Sequence, residues 1–235
     1  MPAEPALYDS LDDQVALVTG ATRGIGAAIA DALVALGATV YAGARETDDI
    51  EATDRRPVEL DVTEESEIAA AIDRIDDEAG RLDVVVNNAG IFPRSGPLHE
   101  MATDDLDRTL AVNLRGPTLV TKYALPLLLD RPGGRVVTLS SGLGQFTDGQ
   151  MGSQYPPYRL SKVGVGGLTA YLDGEYGRSG LLANAVDPGW VRTDMGGANA
   201  NRSPRQGAET PVWVARFRPD SPSGYLWQDK SIVEW

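Results

Sequence analysis

From Val15 to Val186 the chain alternates short apolar, β-branched runs with longer helical stretches, and that alternation limits the fold more than any other feature. Val15–Thr19 is an apolar run ending at Gly20 and reads as a buried strand. Gly26–Leu36 is alanine-rich with apolar residues at helical spacing, closed by Gly37 as a helix stop. Further strands are predicted at 38–43 and 58–60, then an amphipathic helix at 64–78 with Thr63 as its N-cap. A strand at 82–86 precedes a long helix from about Thr103 to Leu129, with Pro117 or Pro126 as bend points. A strand at 135–139, a helix running to about Tyr176 and a strand at 182–186 complete the series. This order predicts a doubly wound, Rossmann-type α/β fold, a parallel sheet with helices on both faces. No repeat or linker divides residues 1–235, so a single domain is expected. Residues 1–14 form a polar N-terminal extension. The Gly-, Asn-, Ser- and Pro-rich stretch from Gly196 to Pro211 reads as a mobile loop, and 194–210 as a substrate loop.

The chain has a net charge of −13, and aspartate outnumbers glutamate by 22 to 12. Only three lysines stand against eighteen arginines. Lysine scarcity with aspartate excess fits a surface adapted to high salt, and the acidic field repels nucleic acid and anionic membranes. Neither partner is expected. No apolar run could span a bilayer, Met1 to Gln14 lacks the apolar core of a signal peptide, and there is no cysteine. A reducing, cytoplasmic setting is therefore the expectation. A phosphorylated cofactor would need a locally basic site.

Two motifs carry chemistry. Thr19-Gly20-Ala21-Thr22-Arg23-Gly24-Ile25-Gly26 joins a strand to a helix. Glycine allows a tight turn and close approach of backbone to phosphate, and the helix start offers unpaired N–H groups to a pyrophosphate. The spacing Gly-x3-Gly-x-Gly differs from the usual dinucleotide fingerprint. Further on, Tyr158 and Lys162 stand four residues apart and share a helix face. A cation beside a phenol lowers its pKa toward working pH and makes it a better general acid or base.

These motifs, with Asn87 to Gly90, Asn113, Ser140-Ser141 and Pro188-Gly189, occur in the order found in short-chain dehydrogenases/reductases, which the chain resembles from about Val15 to Thr193. Ser141-Gly-Leu-Gly, the run Pro188 to Met195 and Thr210-Pro-Val-Trp213 are similar to the carbonyl-reductase-like branch. The resemblance implies a seven-stranded parallel sheet and a catalytic tetrad. Tyr158 would exchange a proton with the substrate oxygen. Lys162 would depress the tyrosine pKa and hold the nicotinamide ribose. Ser141 would bond the substrate oxygen, and Asn113 would hold a water that relays protons through Lys162. Ser140 is a rival to Ser141, but the family usually uses the second serine of such a pair. The resemblance also implies cofactor contacts from Gly20, Thr22, Arg23, Gly24, Ile25 and Gly26, from Asp61 and Val62 at the adenine, and from Asn87, Ala89 and Gly90. Pro188, Val191 and Thr193 would meet the nicotinamide amide. Asp61 has a plainer reading as a capping acid.

The second strand runs into Arg45, where an acid would select NAD, and Arg23 lies in the glycine-rich turn. Two arginines can clamp a 2′-phosphate, so NADP(H) is expected in preference to NAD(H). Sixteen residues separate Ser141 from Tyr158, more than is usual in the family, and imply a small insertion that includes Gln145, Phe146, Gln150 and Met151. Monomeric carbonyl-reductase-like members carry much longer insertions there, so monomer, homodimer and homotetramer stay open. Phe92, Leu143, Phe146, Tyr155, Trp190 and Met195 flank the chemistry and read as the pocket of an apolar carbonyl or alcohol substrate. The single histidine, His99, reads as a surface residue, no metal site is visible, and Trp213, Trp227 and Trp235 read as core or interface anchors. The expected function is NADPH-dependent oxidoreduction. The alternatives are an NADP(H)-binding regulator without turnover, a structural subunit, or an epimerase or dehydratase of the same family.

Overall fold

The computed structural model describes residues 4–50, 54–146, 149 and 151–235; Gln150 and the first three residues of the N-terminal extension lie outside them. Strands β1 (Val15–Thr19), β2 (Thr39–Ala44), β3 (Arg55–Glu59), β4 (Val84–Asn87), β5 (Arg135–Leu139), β6 (Leu182–Val186) and β7 (Leu226–Gln228) form the expected seven parallel strands. An eighth, β8 (Ser231–Val233), adds an antiparallel edge that the sequence reading did not include. The order is β3-β2-β1-β4-β5-β6-β7-β8. The chain steps outward from β1 to β3, then returns to the other side of β1 with β4. The crevice at the C-terminal ends of β1 and β4 is therefore the switch point at which such sheets bind ligands.

The strands are buried on both faces, which is why they read as continuous apolar runs. Ala16 and Val18 of β1 point into one layer, with α1 (Gly24–Ala35) and α6 (Pro204–Ala215). Val15 and Leu17 point into the other, with α2 (Glu65–Ala79), the helix ending at Leu128 and α5 (Pro156–Tyr176). Trp213, Phe217 and Trp227 meet edge-on at 4.8 to 5.4 Å and anchor the first layer, as expected of the tryptophans. Trp235 packs on Gly166, where an added Cβ would stand 2.7 Å from its ring.

Three local expectations are corrected. The long helix is α3 (Thr103–Leu110) and α4 (Gly116–Leu128) joined by a π-helical turn, Ala111–Arg115. Pro117 has no N–H to offer the Asn113 carbonyl four residues earlier and the π-helical turn lies just before it, whereas α4 runs on through Pro126. The N-cap of α2 is Glu64, while the Thr63 hydroxyl donates to Asp61 Oδ1 at 2.8 Å. Part of the expected loop Gly196–Pro211 is helical: Ser203 and Gln206 form a capping box and Pro204 opens α6.

Candidate active site

Gly20 and Gly24 adopt left-handed φ of 64° and 60°, and Gly26 lies so close to the turn that a Cβ would stand 2.2 Å from the Gly20 carbonyl oxygen. Asn88 holds the turn. Its Nδ2 donates to the carbonyls of Thr19 (2.8 Å) and Gly20 (3.0 Å), while its N–H and that of Ala89 both donate to Thr19 Oγ1 at 3.0 Å. The helix behind the turn, α1, begins without a side-chain cap and without an acid in its first turn. Its N–H groups face the crevice at the positive end of the helix dipole, and a pyrophosphate fits that cradle.

Around it, Thr193 reaches over Gly24, with its methyl 3.1 Å from where a Cβ would lie. The Thr193 hydroxyl accepts from Gly196 N (3.1 Å), folding the post-β6 segment onto the turn. Asp61 accepts from Thr63 N and Oγ1, each at 2.8 Å, so the capping arrangement is present. The Val62 side chain is buried against Gly116 and the Val191 side chain against Gly207. Asn87 donates to Thr121 and Thr138 hydroxyls (3.2 and 3.4 Å), and its buried Oδ1 has no partner among the described residues.

Both arginines of the expected clamp lie at the surface of the protein. Arg23 pairs with Asp194 at 3.0 Å, both side chains being exposed (75% and 80%), and Arg45 is exposed just past β2. A third arginine, not singled out from sequence, does reach the turn. Arg55 donates to Ala21 O (3.2 Å) and pairs with Asp31 on α1 (3.3 Å), buttressing the turn from beneath.

Ser141, Tyr158 and Lys162 converge where β5 meets α5. Tyr158 is 8% exposed and Lys162 6%. The Ser141 hydroxyl accepts from Leu143 N (3.2 Å) and faces the Tyr158 phenol. Ser140, buried behind it, has its N–H bound to Val186 O (2.7 Å). Lys162 Nζ lies 5.4 Å from the centre of the Tyr158 ring and donates to Leu139 O (2.7 Å). Burial therefore dominates the electrostatics. The Tyr158 phenol is pushed up to about 12, with the Ser141 hydroxyl pulling it down and the Asp187 carboxylate raising it. The Lys162 ammonium is pushed down to about 8 by burial, with Asp187 opposing. The expected lowering of the tyrosine by its lysine is thus reversed here, because the ammonium is turned to the Leu139 carbonyl inside a dry site.

Asn113 is buried in the π turn. Its Oδ1 accepts from Ile91 N (2.8 Å) and its Nδ2 donates to Ile91 O (2.9 Å) and Ser161 Oγ (3.2 Å). Both amide protons are committed to the segment after Gly90 and to α5, so the side chain braces the site.

The Phe92 ring lies 4.5 Å from Tyr158 and 4.9 Å from Tyr155. Gln154 and Tyr155 both take left-handed φ, 63° and 57°, strained for non-glycine residues. Arg159 holds that conformation. Its guanidinium donates to Ser153 O (3.0 Å), Gln154 O (2.8 Å) and Leu143 O (3.0 Å), tying both ends of the Ser141–Tyr158 insertion together. Met195 lies beside Gly90, and Trp190, half-exposed, donates to Gly196 O (2.9 Å). Phe146 is at the rim, its N–H bound to Trp235 O (3.2 Å). His99 is exposed, 3.5 Å from Glu100 and away from this cluster.

A family model described as short chain dehydrogenase matches residues 14–203. The uncharacterised oxidoreductase YxbG of Bacillus subtilis is 32% identical, over 95% of this chain and 82% of its own length. Carbonyl reductase [NADPH] 1 of Oryctolagus cuniculus is 34% identical, over 95% of this chain and 99% of its own. Among solved structures, a short chain dehydrogenase from Burkholderia cenocepacia in complex with NADP superposes with a TM-score of 0.81 at 32% identity, covering 93% of this chain and 96% of that one.

Proposed function

The chain belongs to the short-chain dehydrogenase family, and from that premise we propose that it reduces small carbonyl compounds with NADPH, using Tyr158 as the proton donor. The observation that carries this reading is the convergence of Ser141 at the end of β5 with the buried Tyr158 and Lys162 of α5, in a fold whose glycine-rich turn leads into an uncapped helix N-terminus. Reduced nicotinamide, when bound, supplies a hydride to the carbonyl carbon. The protein's own work is at the oxygen. Ser141 donates to it as charge develops, and Tyr158 delivers the proton that turns an alkoxide into an alcohol. Of the three Lys162 ammonium protons one is committed to Leu139 O, leaving two for the ribose hydroxyls. Phe92 holds one face of Tyr158 and, with Tyr155 and Met195, offers an apolar wall to the substrate.

NADPH over NADH is supported by three features. Arg45 stands at the end of β2, Arg23 needs only to exchange Asp194 for a phosphate, and no first-turn acid opposes an anion. The test is NADPH oxidation, followed by absorbance in concentrated salt, against aldehydes, ketones and quinones, with NADH and Tyr158→Phe beside it. Turnover that prefers NADPH and falls about 10²–10⁴-fold in Tyr158→Phe is expected. Equal turnover by the variant would remove Tyr158 from the chemistry.

A further inference from the structure

Asp187 follows β6 directly and is 5% exposed. Its Oδ2 accepts from Gly142 N and from Gln228 Nε2, and its Oδ1 from Gly189 N, each at 2.9 Å. All three donors are neutral. The carboxylate thus joins the turn after Ser141, the Pro188-Gly189 turn and β7. Leu139 of β5 is the strand partner of Val186, the residue before Asp187, and its neutral carbonyl accepts from the buried Lys162 ammonium, so the two charges stand at the adjoining ends of β5 and β6. Two unlike charges, each buried and each bonded to neutral groups, lower each other's cost without touching.

We infer that Asp187 is a positioning and charge-setting residue of the active site, holding Lys162 as an ammonium and Tyr158 as a phenol, the protonation state that reduces a carbonyl. The inference rests on the reductase reading above and adds a direction to it. In reduction, hydride from reduced nicotinamide bonds to the carbonyl carbon, the C=O π pair becomes an oxygen lone pair, and Tyr158 gives that oxygen its proton. The cofactor leaves oxidised and water returns a proton to the tyrosinate. Oxidation of an alcohol must begin from tyrosinate, which a nearby carboxylate disfavours. The negative charge of Asp187 raises both groups, against burial at Lys162 and with it at Tyr158. The other charges facing Asp187 are already engaged. Arg202, from the segment before α6, is bound twice at 2.7 Å to Asp229 in the β7–β8 turn and once to Pro188 O. From α5, Tyr158 and Lys162 face it.

The chain has three lysines, so protein labelled with ¹³C at lysine Cε gives three resonances, that of Lys162 being the one missing from Lys162→Met. Each is titrated in wild type, in Asp187→Asn and in Asp187→Ser, without cofactor or substrate. Lys162 is expected to titrate near 8 in wild type and at least one unit lower in both variants, with Lys122 and Lys230 unmoved. A one-unit fall cuts the ammonium fraction near pH 8 about fivefold. Alongside, the pH limb for alcohol oxidation moves to lower pH in both variants. An unchanged Lys162 midpoint overturns the inference, and so does failure of both variants to fold, which would leave Asp187 a structural role alone. If wild type turns over no carbonyl while the Lys162 midpoint still shifts, the reductase reading fails and the charge pairing stands.

Discussion

Replacing Gly26 with alanine would set a methyl 2.2 Å from the Gly20 carbonyl oxygen and 2.4 Å from Asn88 Nδ2. The first contact is backbone and the second is a short side chain holding two carbonyls, so neither can retreat without moving the turn. Overpacking of this kind costs about 1–3 kcal/mol, and loss of one Asn88 hydrogen bond adds about 1 kcal/mol. The expected destabilisation is roughly 3 kcal/mol, or about 6–12 °C in Tm for a chain of this size. Gly80→Ala is the control. Gly80 also has a left-handed φ, 61°, but a Cβ there meets nothing within 4 Å, so only backbone strain of about 1 kcal/mol applies. Urea unfolding of both variants measures the difference, and NADPH titration of folded Gly26→Ala should show at least about tenfold weaker binding. Equal losses in the two variants, or unchanged NADPH affinity in Gly26→Ala, would refute the claim that close packing of the turn shapes the cofactor cradle.

Further outcomes are expected at four other places. Arg159→Met frees three carbonyls and the strained Gln154–Tyr155 pair, so carbonyl KM should rise about tenfold while NADPH Kd holds, with Arg159→Lys partly restoring it; an unchanged KM would show that the wall stands without its brace. Lys162 titrates near 8 folded and near its ordinary 10.5 unfolded, so the unfolded chain binds more protons between those values. The buried ammonium thus costs stability in full below about pH 8, and stability recovers as pH rises to about 10.5. The advantage of Lys162→Met, of order 3 kcal/mol near neutrality, should shrink across that window in pH-dependent urea unfolding, and a pH-independent difference contradicts the buried ammonium. Arg45→Asp should weaken NADPH by about 10–100-fold and strengthen NADH in parallel titrations, as the loss of charge-assisted bonds to a phosphate requires. Raising KCl should raise Tm in calorimetry, because a net charge of −13 repels itself until it is screened, and a flat response removes the salt-adapted reading.

The elements that sequence foretold are those whose signal is local. Buried parallel strands show as apolar runs, and the glycine-rich turn and the Tyr158–Lys162 spacing need no tertiary knowledge. The start of α6, inside the stretch expected to be a loop, had a local signal too. Ser203-Pro204-Arg205-Gln206 is a capping-box pattern with proline at the first helical position, obscured by the loop-like composition around it. The three-residue strands β7 and β8 are too short to show a period. Other features depend on distant partners. Arg159 sits inside the tyrosine motif as an ordinary surface-type residue until 143 and 153–154 are folded around it. Asp187 precedes a turn like many aspartates, and only the sheet brings Gly142 and Gln228 to it. The tyrosine shift runs against expectation for the same reason. Spacing places two side chains on one face, but whether they stand in water or in a dry site, and which carbonyl the ammonium finds, is decided by β5 and the turn after it.

The central claim is hydride transfer to a carbonyl with the proton supplied by Tyr158. Its most direct test is a single turnover with NADPH carrying deuterium at the reactive ring carbon, the alcohol product being read by mass spectrometry. One deuterium on the carbinol carbon in wild type, and no product on the same timescale from Tyr158→Phe that still binds NADPH, is the predicted result. Product that carries no deuterium, or the same yield from the variant, would contradict it.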